Sequence, residues 1–496
     1  SFDASLNGTP ITLSIPGTGE DANATGDLDI SDDLTIAGNG AQNTIVQAGS
    51  NSSNGIDRVF QVTGNYAVSF TDVTIRYGRI PTASGGGIYN TAGTVTVNGS
   101  AIRDNYAGYG GGITNDQGTV TLVQSTVSGN TAVNNGGGVD SDAFGATATL
   151  NVYNSTLSGN SAGYAGGAIL AYTGGAAGAT VNLVNATIHN NNAAVGGVTG
   201  WNNGGGAVVN MQNSLIADQT GATADCASIG GVFTSNNHNL DSDNTCYLSQ
   251  PNDIPNGAAN LGALQNNGGE TETHALLSGS QAINAGANAA CTAAPINGVD
   301  QRGVPRPQGA ACDIGAYEYV APVTPGAAGG NGPGGVGVTD GSTALEIWLR
   351  ADKGTYADPA CTTAPTVNGD VACWQDQSGN SHHATVTGAP LRAPFYRTNI
   401  LNSFPTLGFN GSNDRLATAS LPLFATNSSG LTTHIVFNTQ VSNSQRFLIN
   451  QGFFPSCTTS FELGYSVTGV AGNFGLHKGC FNATATPVGT IANNTY

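Results

Sequence analysis

A short apolar strand closed by a polar turn recurs along the first half of the chain. It reads TIRYG at Thr74–Gly78, AIRDN at Ala101–Asn105, TVSGN at Thr126–Asn130, TLSGN at Thr156–Asn160 and TIHNN at Thr187–Asn191, and SLIADQ at Ser214–Gln219 ends the series. The apolar anchors Ile75, Ile102, Val127, Leu157, Ile188 and Ile216 are 27, 25, 30, 31 and 28 residues apart. A second motif alternates with the first: GGGIYN at Gly85–Asn90, GGGITN at Gly110–Asn115, GGGVDS at Gly136–Ser141 and GGAILA at Gly166–Ala171. Between them lie TVTV at Thr94–Val97, TVTL at Thr119–Leu122, ATLNV at Ala148–Val152 and TVNLV at Thr180–Val184. A unit of three short strands and three turns cannot bury a core alone. Stacked copies can, because each strand then pairs with its equivalents above and below. The glycine runs suit corners, and the turn Asn suits a ladder of stacked amides. A parallel β-helix is the expected fold. Leucine-rich repeats lack support in the Leu spacing, and propeller blades would be longer.

Composition agrees with an all-β chain. Of 496 residues 73 are Gly, one is Met and only 9% are charged, against about a quarter in ordinary soluble domains. Acids outnumber bases by 31 to 13, a formal net charge of −18. Such a surface repels phosphate, which argues against nucleic acid and anionic membranes as partners. No apolar run is long enough for a transmembrane helix and no signal peptide is visible. Residue 1 opens in mid-pattern, which leads to the expectation that upstream residues were removed or omitted.

Eight cysteines fall into four local couples: Cys226 with Cys246, Cys291 with Cys312, Cys361 with Cys373, and Cys457 with Cys480. An even count without C-x-x-C favours disulfides over zinc, with local pairing as the working assumption. Disulfides imply an oxidising compartment, hence an extracellular or cell-surface location.

Two later segments depart from the repeat: LGALQNNGGETETHALLSGSQAINAG (Leu261–Gly286) and DQRGVPRPQGAACDIGAYE (Asp300–Glu318). They are read as a cap that ends the stack. With the repeats, they make the chain from about residue 10 to Glu318 resemble bacterial right-handed parallel β-helix surface proteins of the choice-of-anchor Q type. These have a pectin lyase-like fold and a repeat style like that of polymorphic outer-membrane proteins. Family members usually carry a cysteine-containing segment before the first coil, which this chain lacks. Residues 321–343 are rich in Pro, Gly and Ala and read as a linker. Beyond it, Trp348, Leu349, Ala351 and Asp352, then Trp374, Asp376, Ser378, Gly379 and Asn380, then Phe409, Asn410, Gly411 and Asp414 resemble the laminin-G-like jelly roll of the concanavalin superfamily. The expected organisation is a β-helix with its cap over 1–320, a linker over 321–343 and an antiparallel β-sandwich, short of its last strands, over 344–496.

Candidate sites are few. Aligning the GGG motifs puts Asp116 and Asp142 in one column on neighbouring coils, about 4.8 Å apart, and Asp140 shares their face. A calcium site or an acid pair is the functional reading; exposed turn acids are the plainer one. Asp376 and Asp414 could also hold calcium, although Asx-turn bonding explains them more simply. Trp348 and Trp374 could stack on sugars, or fill a sandwich core. Asp300, Arg302, Arg306, Asp313 and Glu318 read as a structural ion-pair network. No catalytic residue is assigned and no cofactor beyond calcium is implied. The expectation is an extracellular structural or adhesive surface protein, with a carbohydrate or cell-surface ligand. The alternatives are a polysaccharide lyase or glycoside hydrolase on the β-helix face, and carbohydrate binding through the jelly roll. The first coil begins at once with ITLSI (Ile11–Ile15), and open strand edges recruit other strands, so head-to-tail assembly into a filament is one reading; ends truncated from a longer monomeric polypeptide are the plainer one.

Overall fold

In a computed structural model of the chain, the described residues are 1–320 apart from Glu20, Ala222 and Thr223, together with stretches between Leu349 and Thr490. The chain separates into two compact units, Ser1–Pro322 and Val323–Tyr496.

The first unit is a parallel β-helix whose strands stack into four sheets, termed I to IV in the order a coil visits them. One coil runs through Val139–Ala143 in sheet I, Ala148–Tyr153 in sheet II, Thr156–Ser158 in sheet III and Ser161–Ala162 in sheet IV. Sheets I and II hold eight strands each, sheet III ten and sheet IV six. Three strands per repeat were expected, so sheet IV is an addition. Its members include pairs as short as Thr131–Ala132 and Ser161–Ala162, too short to show an alternation of apolar and polar residues.

The repeat anchors pair in register. Ile102 sits between Ile75 and Val127, and Leu157 between Val127 and Ile188. All four sheet III anchors from Ile75 to Leu157 are fully buried. Burying such a side chain is worth roughly 1.5–3 kcal/mol, and the coil supplies several. In the six repeats the sheet III strand is followed by a left-handed residue: Tyr77, Asp104, Gly129, Gly159, Asn190 and Asp218 (φ 62°, 57°, 63°, 64°, 56° and 54°). Gly, Asn and Asp adopt that conformation most readily, which accounts for every member but Tyr77.

The amide ladder forms as expected. Asn105 Nδ2 donates to Asn130 Oδ1, Asn130 Nδ2 to Asn160 Oδ1 and Asn160 Nδ2 to Asn191 Oδ1, each at 2.9 Å, and Asn191 Nδ2 donates to Gln219 Oε1 at 3.0 Å. The Asn members are at most 1% exposed.

The Leu261–Glu318 segment does not close the end of the stack. It runs back along the outside of sheet III as a strap. Thr126 Oγ1 donates to Glu272 O (2.6 Å), Thr156 Oγ1 to Gln301 Oε1 (2.6 Å), and Ala316 N to Thr187 Oγ1 (2.9 Å). A small second core lies beneath it, where Leu215, Ala217 and Leu240 meet Leu276, Ala282 and Ile314. Small outward-facing Thr residues on sheet III leave room for the strap backbone. The cluster expected as an ion-pair network is one, and it pins the strap: Arg302 pairs with Asp300 at 2.6 Å and Arg306 with Glu318 at 3.3 Å, all but Arg302 nearly without solvent contact.

Cys226–Cys246, Cys291–Cys312 and Cys361–Cys373 are disulfide-bonded. Cys457 and Cys480 lie outside the described residues, as does the 321–343 linker. Strands of the second unit pair antiparallel: Cys373–Trp374 between Thr355–Tyr356 and Ala384–Thr385, Phe395–Leu401 with Phe404–Gly408, and a four-stranded run from Arg446–Gln451 to Thr486–Thr490. Among the described residues no helix is long and apolar enough to cross a membrane.

Candidate functional site on the outer face of sheet I

Side chains of a strand alternate between faces, so every second residue of sheet I points away from the core. Two outward columns result. The first is Asp116, Asp142, Tyr172 and Trp201, on four successive coils in direct register. The second is Tyr89, Thr114, Asp140, Leu170 and Thr199. The sequence alignment of GGG motifs thus placed Asp116 beside Asp142 correctly, and Asp140 on their face.

The acidic half is tightly built. Asp140 is only 1% exposed. Burial and the neighbouring Asp142 push its carboxyl well above the usual range. Asp142 is pushed up to about 7, first by burial and then by Asp116, with a hydrogen bond to Asp140 opposing. Neither Asp140 Oδ1 nor Asp142 Oδ1 has a hydrogen-bond partner. Burial and mutual repulsion therefore favour the protonated form at this pair. Like charges this close do not both ionise. Tyr89 Oη donates to Asp116 Oδ2 at 3.3 Å, and the Arg58 guanidinium lies over the Tyr89 ring at 5.3 Å.

The aromatic half continues the column. Tyr172 meets Trp201 edge-on at 5.5 Å between centroids; Phe144 flanks Tyr172 at 5.4 Å and Tyr164 flanks Trp201 at 5.8 Å. Phe144 is 53% and Tyr164 48% exposed, so the cluster presents an apolar surface to solvent beside the acids. The sequence reading missed Tyr172 and Trp201 as site residues. Extending the GGG alignment to GGAILAY and GGVTGWN (Gly166–Tyr172, Gly196–Asn202) would have found both, since each falls in the Asp142 column.

The remaining candidates lie elsewhere. Asp376 belongs to the second unit, where it is 6% exposed and its backbone N–H donates to His383 Nδ1 at 3.2 Å. Trp374 is half-buried in its strand. Trp348 and Asp414 lie outside the described residues. A further acid cluster, Asp225, Asp241 and Asp243, brings carboxylate oxygens within 4.8 Å of one another. Its oxygens are taken up by local donors: Asp241 accepts from the backbone of Asp243, Asn244 and Cys246, and Asp225 from Ser242. That pattern is a self-satisfied turn.

Buried acids away from the strip set the pH response. Burial raises Asp225 to about 7 and Asp313 to about 6, and lowers His274 to about 4. An acid whose folded pKa is raised takes up its proton more readily in the folded state, so its stability is lost as pH rises from 3.8 through the folded value. A buried neutral His loses stability as pH falls from 6.5 towards 4. Between pH 8 and 6 the two acids outweigh His274, part of whose loss already falls in this window. The midpoint of thermal unfolding is therefore expected to rise on going from pH 8 to pH 6, with roughly 1 kcal/mol gained from these three groups, and to go on rising towards pH 5, where two protonated acids outweigh one charged His. A melting series in constant ionic strength checks this; a steady fall from pH 8 to pH 6 contradicts it.

Compared with known proteins, the chain matches no family model, no curated protein and no solved structure, so the likeness to β-helical surface proteins rests on the residues that carry it.

Proposed function

We propose that the protein is an extracellular surface protein of structural or adhesive kind, whose sheet I face holds a saccharide chain. One observation carries the reading: acids and aromatics, Asp116, Asp142, Tyr172 and Trp201, stand one above another on a rigid face. Aromatic rings offer apolar area to the C–H faces of sugars, and carboxylates accept their hydroxyls. The three disulfides agree with an oxidising compartment. A right-handed coil and membership among the choice-of-anchor proteins belong to the same reading. So does a laminin-G-like sandwich in the second unit, supported by the antiparallel strands around Trp374. Head-to-tail self-association is supported by the last strand of sheet II, Val232–Ser235, which has no described strand beyond it and exposes Val232 (56%); electron micrographs of concentrated protein would show fibres.

A second reading, glycoside cleavage, is favoured by the Asp140–Asp142 pair, because an acid that keeps its proton near pH 7 beside a second carboxyl can serve in general acid–base chemistry. Calorimetry and product analysis on a panel of soluble polysaccharides separate the two. The double variant Tyr172→Ala, Trp201→Ala is expected to lose at least about tenfold in affinity, while Asp142→Asn keeps binding within a few-fold. Turnover that Asp142→Asn abolishes would replace the adhesive reading by the catalytic one. Wild-type binding that survives the double variant unchanged would remove sheet I from the account.

A further inference from the structure

The N-terminal end of sheet I buries more negative charge than it neutralises. Asp27 precedes the first strand, Leu28–Ile30, Asp29 lies within it, and Asp57 and Arg58 precede the next, Phe60–Val62. Asp27 is 3% exposed, Asp29 8%, Asp57 0% and Arg58 6%. Asp27, Asp57 and Arg58 alone leave a formal charge of −1. Unpaired buried charge is expensive.

Arg58 does not resolve it. Its Nη1 is shared between Asp27 Oδ2 (3.3 Å) and Gln61 Oε1 (2.5 Å), and its Nε donates to Ser84 O at 3.3 Å. Asp57 Oδ1 accepts from Arg58 N at 2.7 Å. The other oxygens, Asp27 Oδ1 and Asp57 Oδ2, are buried with no hydrogen-bond partner. Asp57 Oδ2 is directed inward: a side-chain carbon placed on Gly26 would stand 2.7 Å from it and 2.5 Å from the Gly17 carbonyl oxygen. Glycine at 26, with φ +77°, keeps that space free. The Gly17 carbonyl oxygen and Asp57 Oδ2 thus both border the space at Gly26, and Asp27, the next residue of the chain, adds a second buried carboxylate oxygen without a hydrogen-bond partner.

We propose that Asp27 and Asp57, with the Gly17 carbonyl, bind a divalent hard cation, calcium by preference, which fastens the first coil to the second. The donor set is all oxygen, combines carboxylates with a carbonyl and is drawn from irregular loops, which suits the flexible coordination of calcium better than the strict octahedron of magnesium. A divalent cation also offsets the buried negative charge of Asp27 and Asp57. The Asp225 cluster offers no equivalent vacancy, because its oxygens already accept backbone N–H groups.

Calcium titration by calorimetry on chelator-stripped full-length protein tests the site, with Asp57→Asn, Asp27→Asn and Asp142→Asn as variants. Far-UV circular dichroism establishes that each folds, and Asp27→Asn replaces Asp57→Asn if the latter does not. Expected are saturable binding, its loss or an at least tenfold weakening in the Asp57 or Asp27 variant, and its retention in Asp142→Asn. Calcium should also slow amide hydrogen exchange several-fold in Leu28–Ile30 and Phe60–Val62. Absence of binding up to about 10 mM calcium, beyond the range of extracellular calcium modules, would overturn the proposal. So would wild-type binding in the Asp57 and Asp27 variants, or binding that only Asp142→Asn removes.

Discussion

Asn130→Leu is expected to cost about 2–4 kcal/mol. Asn130 Oδ1 accepts from both Asn105 N (3.0 Å) and Asn105 Nδ2, while its Nδ2 donates to Ile102 O and to Asn160 Oδ1, each at 2.9 Å. All of these groups are buried. Leucine keeps the volume but removes four hydrogen bonds; Asn105 N loses its acceptor, whereas Asn105 Nδ2 keeps Ile75 O and Asn160 Oδ1 keeps Asn130 N. Each buried orphan costs about 1–3 kcal/mol, and the apolar gain of leucine offsets only part. A second amide ladder provides the control. Asn151, Asn182 and Asn210 stack on sheet II at 2.9 Å spacings, but they face outward and are only part-buried. Water can replace their bonds, so Asn182→Ala should cost less than about 1 kcal/mol. Urea denaturation of the two variants measures the contrast. Equal losses would mean that ladder geometry, not burial, sets the cost.

Arg306→Met should destabilise the strap by about 3–5 kcal/mol, the usual penalty for breaking a buried ion pair from one side. Arg306 Nη1 donates to Asp313 O (2.9 Å) and Glu318 Oε2 (3.3 Å), and Nη2 to Gly315 O (2.8 Å), with the side chain fully buried. Removing it leaves Glu318 ionised and enclosed. Because burial already raises the Glu318 carboxyl, the loss should shrink at pH 5, where protonation relieves the orphaned charge. The effect should also be local. Hydrogen exchange over 261–318 should accelerate while sheet II strands keep their protection. Uniform acceleration through every coil would show that strap and stack unfold as one.

The sequence reports the inside of this fold well and its outside poorly. Ile75, Ile102, Val127 and Leu157 were legible because an inward position must be apolar in every coil, and repetition makes the constraint visible. The Asp116–Asp142 register was legible for the same reason, through the glycines that fix each corner. Outward positions obey no such rule. Thr126, Thr156 and Thr187 look like ordinary surface residues until the strap lies across them, and nothing periodic in Leu261–Glu318 announces its docking partner. Sheet IV escaped notice because two residues cannot display a period. Tyr172 and Trp201 were overlooked because their coils spell the corner with fewer glycines.

The strap also imposes an order of events. Coil contacts join residues 25–31 positions apart, as in Asn105 to Asn130 and Asn160 to Asn191. Strap contacts join residues far more distant: Thr126 to Glu272 spans 146 positions and Gln124 to Asp300 spans 176. Closing long loops is entropically slower than closing short ones. During synthesis from the N-terminus the coils can zip together one after another, while the segment that shields sheet III has yet to be made. Sheet III must therefore pass through a naked stage, with Thr126, Thr156 and Leu215 open to any neighbouring chain. A chain interrupted before Leu261 is therefore expected to hold a stack of coils with one flank uncovered.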